Sequence, residues 1–329
     1  MFEQLGLSQQ EWALVSGIYN AFQNEGRRMD ANESQFVLRQ LTKFADRVYD
    51  VRYTSVKYPM LLPIPAFQSS DIGMSEYGWL VANKIGEYKI LADSSTPDLP
   101  SIDADMEEKT TSIKLAGGRF GWSKDDMWKS VFANVGLSDN KAKATRHAAE
   151  RFHDKITATG DANYGLKGLL SDQTSMSSLS ATGAFSTLTA AQLLGDMRNL
   201  CSEPFKQAEG DFDVGVVVLP PAQYDLLRTK DVGTENDKSV LQRLQELYPS
   251  ARFESWSRFK NVTLEGITAQ DVAMAFPLDP EVGENLILAP FLMEPPRQDV
   301  NGNFNVATYS KTGGVIKRMP TLFAFMKGI

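Results

Sequence analysis

His147 and His153 are the two histidines of the chain, and imidazole side chains can bind metals or transfer protons near neutral pH. They lie six residues apart, a spacing that separates them by about 240° around a helix axis. Residues so separated cannot hold one metal ion from adjacent helical turns. Glu150 and Asp154 lie beside them at helical spacing, where charged residues usually form a solvated face with weak ion pairs. We therefore expect solvated or interface histidines and predict no metal site.

Cys201 is the single cysteine of the chain and could in principle act as a nucleophile. Its surroundings, RNLCSEPF, contain no base that would activate the thiol. A lone cysteine cannot form an intrachain disulfide, which fits a reducing compartment. We expect Cys201 to be a small buried apolar residue.

An acidic segment between residues 92 and 108 offers carboxylates that could bind calcium. A calcium loop needs ligands at regular offsets around a glycine turn, and no glycine lies between Gly86 and Gly117. A solvated or partner-facing loop is the better interpretation. The carboxylates that we consider are Asp98, Asp103, Asp105, Glu107 and Glu108.

Catalytic motifs are absent from the sequence. It contains no phosphate loop, no dinucleotide-binding glycine motif, no HExxH, no CxxC and no GxSxG. With two histidines, few groups are suited to act as general bases near neutral pH. We predict no catalytic residue and no cofactor, and expect that the protein is not an enzyme.

Composition sets further limits. The chain has 329 residues, 42% of them hydrophobic, which is an ordinary globular balance. Its net charge of −7 argues against a protein whose main role is to coat nucleic acid. The start of the sequence lacks the pattern of a secretory signal, and no apolar run reaches the roughly eighteen residues of a membrane span. We therefore expect no membrane partner.

A long helix is predicted over residues 138–158. Ser138 is placed to cap its start, and Gly160 lies where a helix commonly ends in a left-handed conformation. About twenty residues at about 1.5 Å each span about 30 Å, enough to cross a domain. The turn-dense TGDANYGLKGLLSD that follows carries no recognisable catalytic group, so we predict that this segment serves close packing. Small and apolar residues at helical spacing define the face expected to be buried: Ala142, Thr145, Ala149, Phe152 and Ile156.

The remaining segments predict a mixture of helices and strands. An arm starts near Val51, and strand patterns in WLVANKIGEYKIL and TTSIKLAGGRFGWS predict a long two-stranded excursion with the acidic segment at its tip. SDQTSMSSLSATGAFS resembles a linker or exposed loop. A second unit begins near Leu188, where VGVVVLPPAQYDLL predicts a buried strand that leads into a proline-initiated helix. ENLILAPF, NFNVATYS and TGGVIKRMPTLFAFM predict further short strands.

The order of these parts resembles the major capsid proteins of tailed bacteriophages with the HK97 fold. The resemblance rests on the arm, the excursion over 72–118, the long helix that ends in HDKITATGDANYGLKGLLSD, and the later VVVLPPAQYDLLRT. It covers nearly the whole chain, and its weight lies in the order and spacing of moderately specific motifs.

The resemblance implies an α+β, HK97-like capsid fold and a shell protein that self-assembles into an icosahedral head around double-stranded DNA. The implied parts are N-terminal helices and arm (1–60), extended loop with flanking strands (61–120), peripheral domain with a long spine helix (121–187), axial domain (188–285) and C-terminal strands (286–329). The implied partners are other copies in hexamers and pentamers, packaged DNA, and scaffolding, portal and decoration proteins. Assembly is expected in the host cytoplasm, and the protein's final location is the virion capsid.

The resemblance also suggests roles for particular residues. The extended loop would contact a neighbouring subunit through its acidic residues and through Lys84 and Lys89. Some relatives cross-link a lysine of this loop to a neighbour's asparagine, but the sequence gives no independent sign of that chemistry. The spine helix would pack through Ala142, Ala149, Phe152 and Ile156.

Charge is distributed in a way that fits contacts between copies. Residues 71–110 carry nine acids and three bases, whereas 111–159 carry nine bases and five acids. If the excursion of one subunit lies over the helix region of the next, this pairing would steer assembly more than it adds affinity. The alternative is that both segments are solvated faces, because surface ion pairs contribute little.

Residues 27–60 carry seven bases and four acids, which allows weak contact with phosphates but no reading of base sequence. The candidate DNA-facing residues are Arg27, Arg28, Arg39 and Lys43.

Three other functions remain open at this point. An encapsulin-like protein compartment would share the architecture but enclose protein cargo, and nucleic acid in purified particles would discriminate against it. A soluble enzyme of unknown reaction would be a small particle with a deep pocket. A phage decoration protein would seldom need the long helix and excursion together.

Overall fold

The structure is a computed structural model that describes residues 55–85, 103–123, 125–126, 128, 137–233, 236–264, 267–299 and 303–329. The helices and arm predicted up to residue 54 lie outside the described residues. Helices with described bounds are α1 (Tyr58–Leu61), α2 (Leu137–Thr159), α3 (Ala190–Gln207), α4 (Pro221–Thr229) and α5 (Val240–Leu247).

The described strands fall into two groups along the chain. The first group is β1 (Glu76–Ile85), β2 (Asp103–Ser112), β3 (Lys114–Trp122), β4 (Ser177–Ser180), β5 (Val216–Leu219), β6 (Asp231–Gly233), β7 (Asn236–Ser239) and β8 (Arg252–Ser255). The second is β9 (Val262–Leu264), β10 (Ile267–Gln270), β11 (Val272–Phe276), β12 (Gly283–Met293), β13 (Arg297–Gln298), β14 (Phe304–Lys317) and β15 (Ala324–Lys327).

The predicted long helix is confirmed as α2. It begins at Leu137, so Ser138 lies in its first turn instead of capping it from outside. It ends at Thr159, and Gly160 follows with a φ of +69°, in the left-handed region that glycine adopts freely. The Gly160 amide donates to the Ile156 carbonyl at 2.8 Å, which satisfies one of the last carbonyls of the helix.

The turn after α2 folds back against the end of that helix. The amides of Leu169 and Leu170 donate to the carbonyls of Thr157 and Ala158 at 2.8 and 2.9 Å. This return brings two glycine backbones together: a Cβ on Gly168 would lie 2.4 Å from the Gly160 nitrogen. No larger residue fits at Gly168 without moving the backbone, so this segment serves close packing, as the sequence predicted.

A five-stranded sheet in the order β4, β15, β11, β5, β8 is covered on both faces. Strand alternation places Val216 and Val218 in one apolar cluster and Val217 and Leu219 in the other. One cluster includes apolar residues of α3 and α5. The other includes Leu169 and Leu170 of the turn after α2, together with aromatic residues from β11 and the segment before β15. Both faces of the sheet are therefore buried from solvent, which is consistent with the continuous apolar run of β5.

The helices on this sheet begin with local signals in the sequence, of which the proline at the start of α4 was predicted. Thr189 and Ser239 each form a capping box with a glutamine three residues later, at the starts of α3 and α5. Pro221 is the first residue of α4, directly after the buried strand β5. These local signals made the second unit predictable.

The segment predicted as a serine-rich linker is partly a strand. Ser177–Ser180 form β4, which pairs in parallel with β15, and Phe185 just beyond it is fully buried. The linker prediction was wrong here because the pairing partner lies more than 140 residues away and leaves no local sequence pattern.

A second sheet packs against α2. It contains β12, β14 and β13, and β3 pairs with β14 from Thr312↔Lys114 to Phe304↔Trp122. Helix α2 contacts β3, β12 and β14. Two small antiparallel pairs, β6 with β7 and β9 with β10, complete the described sheets.

The excursion is confirmed as an antiparallel pair, but its return strand differs from the prediction. β1 pairs with β2 in a register from Glu76↔Ser112 to Ile85↔Asp103, whereas β3 pairs with β14. The acidic residues from Asp103 onward thus form a strand instead of a loop tip. The apolar alternation that marks a half-buried strand is missing here, because Met106 to Thr110 are all exposed.

Candidate assembly surfaces

The β1–β2 hairpin has two chemically different faces. One face carries Trp79 opposite Lys109 and Val81 opposite Glu107. The other carries Leu80 opposite Glu108 and, one pair further along, position 82 opposite Met106. The first face packs against the chain's own core at Trp79 and is exposed at Glu107 and Lys109.

The second hairpin face exposes apolar side chains. Leu80 is 69% exposed and Met106 is 66% exposed, and their positions are diagonal neighbours across the strand pair. Exposed single apolar residues are common, but two adjacent ones on a projecting two-stranded element leave apolar area that the chain itself does not cover.

The predicted loop residues are distributed along this hairpin. Lys84 lies in β1, and Asp103, Asp105, Glu107 and Glu108 lie in β2. Glu107 and Glu108 are exposed, and Glu107 approaches Lys109 at 3.4 Å. Lys89 and Asp98 lie outside the described residues.

The middle of α2 lines an apolar cleft. Thr145, Ala149 and Phe152 face Gly117 of β3 and Tyr309 of β14 across a space of about 220 Å³. The predicted spine face is therefore only part buried: Ala142, Ala149 and Phe152 are intermediate in exposure. Ile156, near the C-terminal end of the helix, is fully buried as expected.

The C-terminal half of α2 corrects the predictions for His153 and Asp154. Asp154 is 5% exposed, and its carboxylate accepts hydrogen bonds from Trp256 Nε1 at 3.1 Å, Arg258 Nε at 2.9 Å and the Lys57 amide at 3.1 Å. It is a buried, paired charge and not part of a solvated face. The physical reason is that the helix is buried almost all round from residue 153 to 158, with Lys155 the one exposed residue.

His153 is buried beside Asp154. Its Nε2 lies 3.1 Å from the Pro290 carbonyl, which can only accept, so this nitrogen carries a proton. The Tyr58 ring lies 5.7 Å away. Burial lowers the pKa of His153, and the hydrogen bond to Pro290 opposes this shift. The imidazole is thus neutral and structural, and the expectation of a solvated or interface histidine was wrong for His153.

Cys201 is buried as predicted. Burial raises the pKa of its thiol to about 12, so the reactive thiolate is scarce at neutral pH. Among the residues that the structure describes, no cluster of three or more histidine, cysteine or acidic side chains is suited to hold a metal ion. No helix in the described part of the chain is long and apolar enough to cross a membrane. Arg27, Arg28, Arg39 and Lys43 lie outside the described residues.

One family model and several solved structures are similar to this chain. A family model described as "Major capsid protein" matches residues 86–329. The capsid of Myoviridae phage XM1 is similar in structure with a TM-score of 0.76, at 15% sequence identity over 92% of this chain and 100% of that chain. The capsid of a native GTA particle is similar with a TM-score of 0.64, at 8% identity over 87% of this chain and 94% of that chain.

A third structure, from Mycobacterium phage Bobi, has a TM-score of 0.62 at 8% identity and covers 92% of this chain and 99% of that chain. At these identities the structural likeness shows the fold. No curated protein sequence matches this chain.

Proposed function

Because this chain belongs to the major capsid protein family, we propose that it forms the icosahedral head of a tailed phage around double-stranded DNA. Membership of the family makes it a structural shell protein of the virion capsid that assembles with copies of itself, and not an enzyme. The α+β, HK97-like fold implied by the sequence is confirmed. Beyond family membership, we propose that the shell is the head of a tailed phage and is built from hexamers and pentamers. We also propose that it contains DNA and assembles in the host cytoplasm.

The observation that carries the proposal is the β1–β2 hairpin, which has uncovered area on both faces. A two-stranded hairpin is marginal in water unless it rests on other structure. Leu80 and Met106 are exposed on one face and Glu107 on the other. A neighbouring copy supplies the missing support, since heterologous contacts that close into rings generate pentamers and hexamers.

The surface that receives the hairpin is, in this proposal, the cleft between α2 and the β3–β14 pair of a neighbour. The cleft is mainly apolar and has a volume of about 220 Å³, which suits the exposed Leu80 and Met106. The segment that contains β3 and α2 carries a net positive charge, which suits the acidic strand β2. Charge complementarity would set the register of the contact and its association rate, while burial of apolar surface would supply affinity.

We assign the domains as the resemblance implies: extended loop with flanking strands over 61–120, peripheral domain over 121–187, axial domain over 188–285 and C-terminal strands over 286–329. Support comes from two separately packed sheets, one against α2 and one between α3, α5 and the turn after α2. β4 and β15 belong to the sheet of β5 and β11, so the proposed axial domain also draws on strands from its flanks.

DNA contact is proposed to be weak and independent of sequence, through Arg27, Arg28, Arg39 and Lys43. The net positive charge of residues 27–60 supports this role. Scaffolding, portal and decoration proteins are proposed partners by resemblance alone. A strong preference for one DNA sequence at physiological salt would contradict the DNA part of the proposal.

Electron microscopy and sedimentation of the purified protein test the function. We expect closed shells with pentamers and hexamers, and an absorbance ratio that indicates nucleic acid in particles purified from infected cells. Protein-filled shells without nucleic acid would favour a compartment of the encapsulin type. A compact monomer at all salt concentrations, even with viral partners supplied, would contradict the proposal.

A further inference from the structure

A basic pocket of about 350 Å³ lies between the base of the hairpin, the turn after α2 and the end of β14. It is distinct from the cleft beside α2, and the proposed function gives it no role. We define the basic pocket by the charged and aromatic residues that line it: Trp79, Lys109, Lys167, Asp172, Lys317 and Arg318.

Three of its four bases already have a carboxylate partner. Lys167 Nζ lies 2.7 Å from Asp172. Arg318 lies 2.7 Å from Glu284. Lys109 lies 3.4 Å from Glu107. These bases and carboxylates are balanced pairs and leave Lys317 as the uncompensated charge of the pocket.

Lys317 has only neutral partners within bonding distance in the described part of the chain. Its ammonium donates to the Ser171 carbonyl and lies 3.2 Å from Met176 Sδ, over the Phe323 ring. Burial lowers the pKa of Lys317 to about 7, with Asp172 opposing this shift and Lys167 adding to it. The surroundings thus disfavour the charged lysine while the pocket is empty of a counter-charge.

Trp79, whose side chain also lines the pocket, has a donor without an acceptor in the part of the chain that the structure describes. Trp79 Nε1 is buried without a hydrogen-bond partner among the described residues. A buried unpaired indole N–H is costly, and indole nitrogens usually find an acceptor. Because Trp79 Nε1 is buried, Lys317 is the donor that the pocket offers to a ligand. A carboxylate would accept from this amine and favour its charged form.

We propose that the basic pocket receives an aspartate or glutamate side chain from a second copy of this chain. Four bases and three carboxylates leave one positive charge when Lys317 is protonated, which matches one carboxylate and does not match a phosphate dianion. A second copy is the favoured source because the chain carries seven more acids than bases and exposes acids on its hairpin. This inference rests on the proposed function, since only a shell holds neighbours in fixed positions.

Zero-length cross-linking in isotope-mixed shells tests the proposal. Shells are assembled from equal amounts of ¹⁴N- and ¹⁵N-labelled full-length subunits and treated with a water-soluble carbodiimide. The reagent activates a carboxyl group, a neighbouring neutral amine attacks it, an amide forms and a urea leaves, so only groups in direct contact are joined. We expect Lys317 joined to an aspartate or glutamate peptide that carries the other label, as mass spectrometry of the digest would reveal.

Three outcomes are distinguishable. Shells with other mixed-label cross-links but none from Lys317 would overturn this inference and leave the proposed function standing. A Lys317 amide that carries one label only, for example to Asp172, would also overturn it, because the carboxylate would come from the same chain. Failure to form any shell would overturn both the inference and the proposed function.

Variants of Lys317 add a functional readout. Lys317→Met keeps the apolar stem and should raise the subunit concentration needed for assembly about tenfold, the effect of losing one buried charge pair of modest strength. Lys317→Arg keeps the charge and should restore most of the assembly. Lys260→Met, at an exposed lysine outside both the pocket and the segment 111–159, is the control and should leave assembly unchanged. Equal behaviour of Lys317→Met and the control would contradict the proposal.

Discussion

The C-terminal half of α2 and the β1–β2 hairpin place charged residues in opposite settings. In α2, Asp154 is buried and satisfied by Trp256, Arg258 and Lys57 of the same chain. In the hairpin, Glu107 and Glu108 are exposed, and the apolar Leu80 and Met106 are exposed beside them. The comparison separates an element that its own subunit satisfies from one that, in the proposed assembly, a neighbour completes.

Asp154→Ala should give the largest effect on folding. It would leave the Arg258 guanidinium and the Trp256 indole without their buried acceptor, at a cost of about 3–5 kcal/mol in the free energy of unfolding. Denaturant unfolding of the unassembled subunit measures this. The matched control is Glu150→Ala on the same helix, whose pair with the exposed Arg146 should contribute below about 0.5 kcal/mol. Equal losses in the two variants would remove the distinction between the buried and exposed regions.

The pH dependence of His153 should be the next largest effect on the buried region. Because burial lowers its pKa, the unfolded chain binds the proton more readily than the folded chain. The stability contributed by neutral His153 is therefore complete above the ordinary pKa of about 6.5 and is lost as the pH falls below it. Thermal unfolding at pH 7 and pH 5 should show a smaller loss in a His153→Phe variant than in the natural protein. An identical loss in both would show that other groups cause the acid sensitivity.

Ala149→Glu should separate folding from assembly. Ala149 is half-buried at the rim of the cleft, so a glutamate can turn partly to water, and we expect a folding cost of about 1 kcal/mol. Shell formation should be lost or strongly reduced, because the cleft would carry a negative charge opposite the acidic hairpin. Ala144→Glu, an exposed position on the same helix, is the control and should assemble normally. Normal assembly of Ala149→Glu would show that the cleft is not the receiving surface.

The paired change Glu107→Ser with Glu108→Ser should have the smallest effect. Both side chains are exposed, so folding should be unchanged. Light scattering should show assembly slowed several-fold at low salt, with the difference shrinking toward 1 M salt, where the Debye length is about 3 Å. A control pair of exposed acids, Glu209 and Glu281, should show no such difference. An unchanged rate at low salt would mean that the hairpin does not use these charges to meet a neighbour.

Local signals in the sequence predicted much of the fold. Helix α2 with its terminal Gly160, the capped helices α3 and α5, and the β5-to-α4 step all follow from residues adjacent in the chain. The long-range pairings did not follow in the same way. Asp154 is separated by 102 residues from Trp256, and nothing near Asp154 indicates that a donor will meet it. β2 and β4 were not predicted because their charged or hydroxyl-rich sequences lack a strand pattern. They form strands through pairing with β1 and β15, respectively.

The position of β15 also governs when a newly made subunit can become complete. β15 lies between β4 and β11, so Ser177–Ser180 have no partner in that sheet until residues 324–327 have been synthesised. At about 5–20 residues per second, a ribosome needs roughly 7–29 seconds to travel from β4 to β15. During this interval a nascent chain holds an unfinished sheet beside its neighbours on the same messenger. A subunit without β15 thus lacks the strand that joins β4 to β11.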